Sequence, residues 1–235
     1  MTMIDGAKER LAAGFERSLS VQQAVARTSV DRLRRVHPDH TPKELVRELN
    51  RWYLSAVTIA GAGTGMAAAL PGAGRAMGVP AAFADTLAFT EASVLYVLSV
   101  AEVHDLHPED VERRKLLVMS VMLGDSAVGA LHAGVGKTAP HWARKIVNTI
   151  PMEAINKANK VLGPRFITKY GERQGVLVLG KQLPRGLGAV FGSGANHLVG
   201  RGIVASTHEI FGEPASEWGG QPPRAEGAWW TRGRR

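Results

Sequence analysis

Apolar and polar positions alternate with a helical period along almost the whole chain. Over residues 7–36 apolar side chains recur three and four positions apart, which predicts one or two amphipathic helices. Thr41-Pro42-Lys43-Glu44 follows, with Thr at the N-cap, Pro at the first helical position and Glu at the third. This is a capping box with a pre-set first turn. Leu45, Leu49, Trp52, Tyr53 and Ala56 then form an apolar stripe, while Lys43, Glu44, Arg47, Glu48 and Arg51 fill the other side. After Thr58 the polar side disappears, so this helix is expected to start at the surface and run into the core until Pro71-Gly72 stops it.

The same reading places a second long helix from about Pro80 to Asp105 and a third from Pro108-Glu109-Asp110 to about Gly134. Acids in the first turn of that third helix suit the helix dipole. Its residues 116–123, LLVMSVML, are apolar all round, which marks a central helix. Pro140, Pro151, Pro164 and Pro184 are expected to punctuate shorter helices, and a last long helix runs from about Arg185 to Phe211. GVLVLG at 175–180 is the one strand-like run. The fold class is therefore all-α: a single helical domain over 1–212, its buried helices long and rich in Ala and Gly. An extended Gly/Pro-rich tail over 213–235 ends in Trp and Arg.

The apolar stretches are unusual in kind. Trp52 to Gly74 contains no charged residue, Leu116 to Gly136 contains Asp125 alone, and Gly186 to Gly200 contains none. They are built from Ala and Gly rather than Leu and Ile. Such residues bury little area, which argues for close packing of helices and against a membrane span. The stripe Gly188, Gly192, Asn196, Gly200 repeats every four residues and lets a neighbouring helix approach.

Charge adds an asymmetry. The chain of 235 residues carries a formal +8, and between Lys137 and Arg201 eleven Lys or Arg stand against Glu153 and Glu172. A basic half calls for an anionic partner, and anionic lipid fits the apolar context. Nucleic acid fits less well, because the basic residues are scattered through apolar helices and no recognition motif is present. There is no cysteine, which excludes disulfides, thiolate metal sites and thiol catalysis. The N-terminal residues lack the apolar core of a secretory signal. The expected location is the cytoplasm and the inner face of the membrane.

Motifs for reaction chemistry fail in turn. Gly136-Lys137-Thr138 lacks the Gly five positions earlier and the strand of a phosphate loop, and Gly61–Gly65 lacks a dinucleotide fingerprint's third Gly spacing. Gly124-Asp125-Ser126 resembles a hydrolase nucleophile motif, but it falls within a predicted helix. His37-Pro38-Asp39 reads as a turn before a capped helix. His104, Asp105, His107 and Glu109 read as turn residues rather than metal ligands. No catalytic residue, metal or cofactor is assigned. Asp125, a carboxylate within an apolar helix, is expected to be buried with a polar partner.

Two regions resemble the EcsC family of bacterial proteins. One runs from Ala60 to His107, where a Gly/Ala-rich helix ends in ALPG and PAAFADTLAFTEASVLYVLSVAEVHDLHPED follows. The other is ANKVLGPRFITKYGERQGVLVLGKQLPRGLGAVFGSGANHLVGRGIVAST. The resemblance covers roughly residues 45–211 and implies a helical fold. The family is named for a gene beside an ABC exporter, which implies a membrane transporter as a partner, but it implies no mechanism.

These features together predict a non-enzymatic protein that binds a lipid or fatty acyl chain and sits peripherally on an anionic membrane. Met66, Leu70, Phe83, Phe89, Met119 and Met122 are the candidate walls of a hydrophobic pocket, because large adaptable side chains interrupt the small ones there. Asp85, Asp125, Asn196 and His197 are the candidate contacts to a headgroup. Trp229, Trp230, Arg232, Arg234 and Arg235 are the candidate interfacial anchor. The alternatives are an enzyme acting on an apolar substrate through carboxylates such as Asp85, Glu91 and Asp125, and an interaction partner of an ABC transporter.

Overall fold

The computed structural model describes residues 3–68, 74–127, 142–180 and 187–219, with side chains described over 8–61, 84–127, 142–170 and 194–219. The described residues are mostly helical and include no strand. The helices are α1 (Met3–Val36), α2 (Pro42–Ala68), α3 (Gly74–Val103), α4 (Val111–Leu123), α5 (Ala143–Asn148), α6 (Met152–Gly180) and α7 (Leu187–Phe211).

Local chemistry accounts for the start of α2. The Glu44 N–H donates to Thr41 Oγ1 at 3.3 Å, and the Thr41 N–H donates to Glu44 Oε2 at 2.8 Å. Both bonds satisfy backbone donors that have no partner inside the helix. Its buried stripe is Leu45, Val46, Leu49, Tyr53 and Val57. Trp52, expected in that stripe, is instead 57% exposed. The helix is rotated so that Tyr53 stacks on Tyr96 of α3, with ring centroids 4.4 Å apart, and Gly200 of α7 meets Leu54 and Val57.

Contacts fix the directions of the helices. Tyr53 Oη lies 2.8 Å from Ser93 Oγ, and Tyr96 Oη donates to Asn50 Oδ1 at 2.6 Å, so α2 and α3 are antiparallel. Asn196 meets Val57 while Thr207 and Phe211 share a small cleft with Val46 and Asn50, so α7 is antiparallel to α2. On α1, Gly14 abuts Leu87 and Gln23 Nε2 donates to Glu102 at 2.6 Å, which makes α1 parallel to α3. Asn159 Nδ2 donates to the Glu112 carbonyl at 2.9 Å and Tyr170 Oη to that of Met122 at 2.8 Å, so α4 and α6 are parallel.

The bundle therefore has two unlike ends. The C-terminal ends of α2 and α6 and the N-terminal ends of α3 and α7 point to one, the Ala/Gly end. The 37–41 turn, the 104–110 loop and residues 212–219 lie at the other, the polar end.

α4 is central as its composition predicts, with every residue from Leu116 to Leu123 buried. Yet it stops at Leu123 rather than near Gly134. Gly124 adopts φ 57° and ψ −134°, a conformation only glycine takes readily, and a helical turn restarts at Asp125. The carbonyls freed at the break are taken by α6. Lys169 Nζ donates to Met122 and Leu123 at 3.2 and 3.3 Å, beside the Tyr170 bond. A cation at this position also complements the helix dipole.

Three other boundaries differ from the expectation. α3 begins at Gly74, so Pro80 lies inside it, and α6 runs through both Pro164 and the 175–180 segment. Pro164 and Lys160, whose carbonyl loses its N–H partner, both lie on the exposed side of the helix.

Candidate functional site

The structure brings together three of the sequence-predicted residues, at the level where α2, α3 and α7 meet near the Ala/Gly end. Asn196 of α7 is fully buried. Its Nδ2 donates to the Val57 carbonyl at 3.1 Å and to Asp85 Oδ1 at 3.2 Å. One turn from Asn196, Gly200 packs against α2: a Cβ there would lie 3.1 Å from Val57 Cγ2. The small residue lets the helices close enough for an α7 side chain to reach an α2 backbone carbonyl. Next to Asn196, His197 Nδ1 lies 3.2 Å from Thr58 Oγ1, which also donates to the Leu54 carbonyl at 2.6 Å.

Asp85 is 2% exposed. Its Oδ1 accepts from Asn196, while its Oδ2 is also buried and meets no hydrogen-bond donor. The acid buried at this level of the bundle is therefore Asp85. Asp125, expected in that role, is exposed, because the break at Gly124 turns the chain out of the core before reaching it.

The other candidates do not join this cluster. Phe89, Met119 and Met122 are core residues, with Phe89 facing Tyr170 at a centroid distance of 6.2 Å. None of the three lines either cleft described here. Glu91 is exposed, so Asp85, Glu91 and Asp125 share no pocket among the described residues. The side chains of Met66, Leu70 and Phe83 lie outside the described residues, as do Trp229, Trp230, Arg232, Arg234 and Arg235.

Around the cluster, residues 52–61 of α2 and 194–200 of α7 carry no charge, and exposed Arg51 and Arg201 border these stretches. From Trp52 to Gly61 and from Gly194 to Gly200 the exposed positions include Trp52, Ser55, Ile59, Gly194 and Leu198. Ile59 is 71% and Leu198 70% exposed, one residue beyond Thr58 and His197 respectively. On α3, Ala84 and Ala88 are exposed beside Asp85. Sequence periodicity missed Ile59 and Leu198 because each continues an apolar run that reads as core. The usable signal is the loss of charge on every side of both helices. Ala84–Val103 is long and apolar enough to cross a membrane, but 67% of it is buried within the bundle.

Three of the described basic residues go to different places. Arg144 stands at the polar end, Arg165 NH1 donates to the Ser126 carbonyl at 3.3 Å, and Lys169 caps α4.

At the polar end lies a cleft of about 610 Å³, between the end of α1, the loop after α3 and residues 212–219. Trp218 forms one wall. Its Nε1 donates to the His40 carbonyl at 2.8 Å, and the Arg34 guanidinium lies 4.0 Å from its ring centroid. Glu102 lines the cleft with its side chain 6% exposed, bonded to Gln23 and Arg27 and 3.0 Å from His107 Nδ1. Asp105 holds φ 55° and approaches His107 Nε2 at 3.0 Å. Gln23 Oε1 and His107 Nδ1 are buried here without a hydrogen-bond partner, and no group of three or more His, Asp or Glu among the described residues is arranged to hold a metal.

No family model, curated protein or solved structure matches this chain.

Proposed function

We propose that this chain is a non-enzymatic, lipid-binding helical protein that docks peripherally on membranes through its Ala/Gly end. The observation that carries the reading is the exposure of Trp52, Ile59 and Leu198 on uncharged stretches of α2 and α7 that Arg51 and Arg201 border. Fully burying an aliphatic side chain of this size is worth about 1.5–3 kcal/mol, and Trp favours the headgroup boundary. Three such residues suit reversible attachment rather than insertion. On this reading charge plays the smaller part, and docking depends on apolar contact more than on salt. The resemblance to the EcsC family, a bacterial cytoplasmic setting and a transporter partner belong to this reading as proposals.

The test is flotation of the full chain with neutral and anionic phospholipid vesicles, beside the variant W52S/I59S/L198S. The wild type should float with both and the variant with neither, with the far-UV spectrum unchanged. A variant that floats like the wild type refutes the reading. Loss of self-association instead of flotation would assign the surface to a second protein.

A further inference from the structure

We propose that the Asp85–Asn196 cluster holds the head of a single-chain amphiphile bearing an ammonium group. Burying a carboxylate oxygen away from water and from every donor is costly, and native proteins accept the cost at sites that take a ligand. Asp85 Oδ2 is such an oxygen. Its partner Oδ1 is held by Asn196, whose Nδ2 also bonds the Val57 carbonyl, so the carboxylate is fixed in orientation by α7 and α2.

The acceptor presented is a carboxylate oxygen, and its surroundings are apolar. Val57, whose carbonyl shares Asn196 with it, and Phe89, one turn along α3, are buried, and the chain on either side of the cluster is rich in Ala and Gly. A head that donates hydrogen bonds and carries positive charge complements it, whereas a carboxylate head is repelled. The cover over the site is thin. Ala84 and Ala88, the neighbours of Asp85 along and around α3, are exposed, and beyond Gly194 of α7 there is open space. Ile59 and Leu198, exposed beside the cluster, offer apolar surface to a hydrocarbon chain once the head is seated.

This deepens the docking reading, on which it depends only for where the amphiphile comes from. The sign of the expected preference is diagnostic. The protein carries a formal +8, so general attraction favours an anionic amphiphile, and a preference for the cationic one must be local.

The experiment titrates the full chain, without vesicles and below the micelle concentration, with dodecylammonium, dodecanol and dodecanoate, read by calorimetry and native mass spectrometry. Dodecylammonium should bind once per chain and about 10- to 100-fold more tightly than dodecanoate, the range of one charge-assisted hydrogen bond. Asp85→Asn, which keeps the shape and the contact to Asn196, should erase that preference. Equal affinity of the three probes, binding of none, or an unchanged preference in Asp85→Asn overturns the proposal. If Asp85→Asn fails to fold, the wild-type ranking still decides. Because vesicles are absent, a protein that floats but does not bind dodecylammonium retains the docking reading and loses this one.

Discussion

Gly124→Ala separates two accounts of the middle of this chain by the sign of its effect. If α4 continued through residue 124, as its composition predicts, Ala would replace Gly in a helix interior and stabilise the protein by about 1 kcal/mol. In the structure, Gly124 has φ 57° and ψ −134°. A non-Gly residue held in such a region costs of the order of 1–3 kcal/mol. An added Cβ would also lie 2.9 Å from Ser206 Oγ of α7, closer than real Cβ contacts, and relieving it costs about 1 kcal/mol more. The expected result is a loss of about 2–4 kcal/mol, or roughly 4–16 °C in Tm for a chain of this size.

Urea unfolding followed by far-UV circular dichroism measures the loss, provided the slope is unchanged. In the double variant Gly124→Ala/Ser206→Gly the steric share should be recovered and the backbone share should remain. Gly124→Ala that is as stable as the wild type, or more stable, refutes the break and with it the explanation for the exposure of Asp125.

Two further predictions concern the polar end and the start of α2. Asp105 occupies a left-handed position after α3, where the Leu106 N–H closes on the Ala101 carbonyl at 2.9 Å. Asp105→Gly should therefore stabilise the fold by about 1 kcal/mol in thermal unfolding, and a loss would show that the contact to His107 outweighs the backbone term. Hydrogen bonds from the Thr41 backbone and then its side chain hold the Glu44 carboxyl below its ordinary value of 4.5. A lowered carboxyl stabilises the fold above its unfolded pKa, and the contribution is lost as pH falls through the folded one. Glu44→Gln should accordingly flatten the stability profile below about pH 4.5, and an unaltered acid limb in urea titrations would exclude the capping box as its source.

The sequence by itself determined what adjacent residues decide. The Thr41–Glu44 box closes within four residues, the helical period is a property of the backbone, and the apolar girth of residues 116–123 leaves α4 no face to turn toward water. Pro164 was misleading because its effect depends on surroundings: a missing N–H breaks a helix where the freed carbonyl is buried, and here Lys160 and Pro164 face solvent. The choice between two apolar stripes on α2 was made by α3 and α7, through the Tyr53–Tyr96 stack and the close approach at Gly200. This turned Val57 inward and left Trp52 and Ile59 exposed. The buried carboxylate was likewise a tertiary outcome. Asp85 and Asp125 sit in equally apolar stretches, and only the arrival of Asn196 beside the first, and of Lys169 and Tyr170 at the break before the second, distinguishes them. Those partners lie between 44 and 111 residues away along the chain, as the distances 85–196 and 125–169 give, where no local pattern can register them.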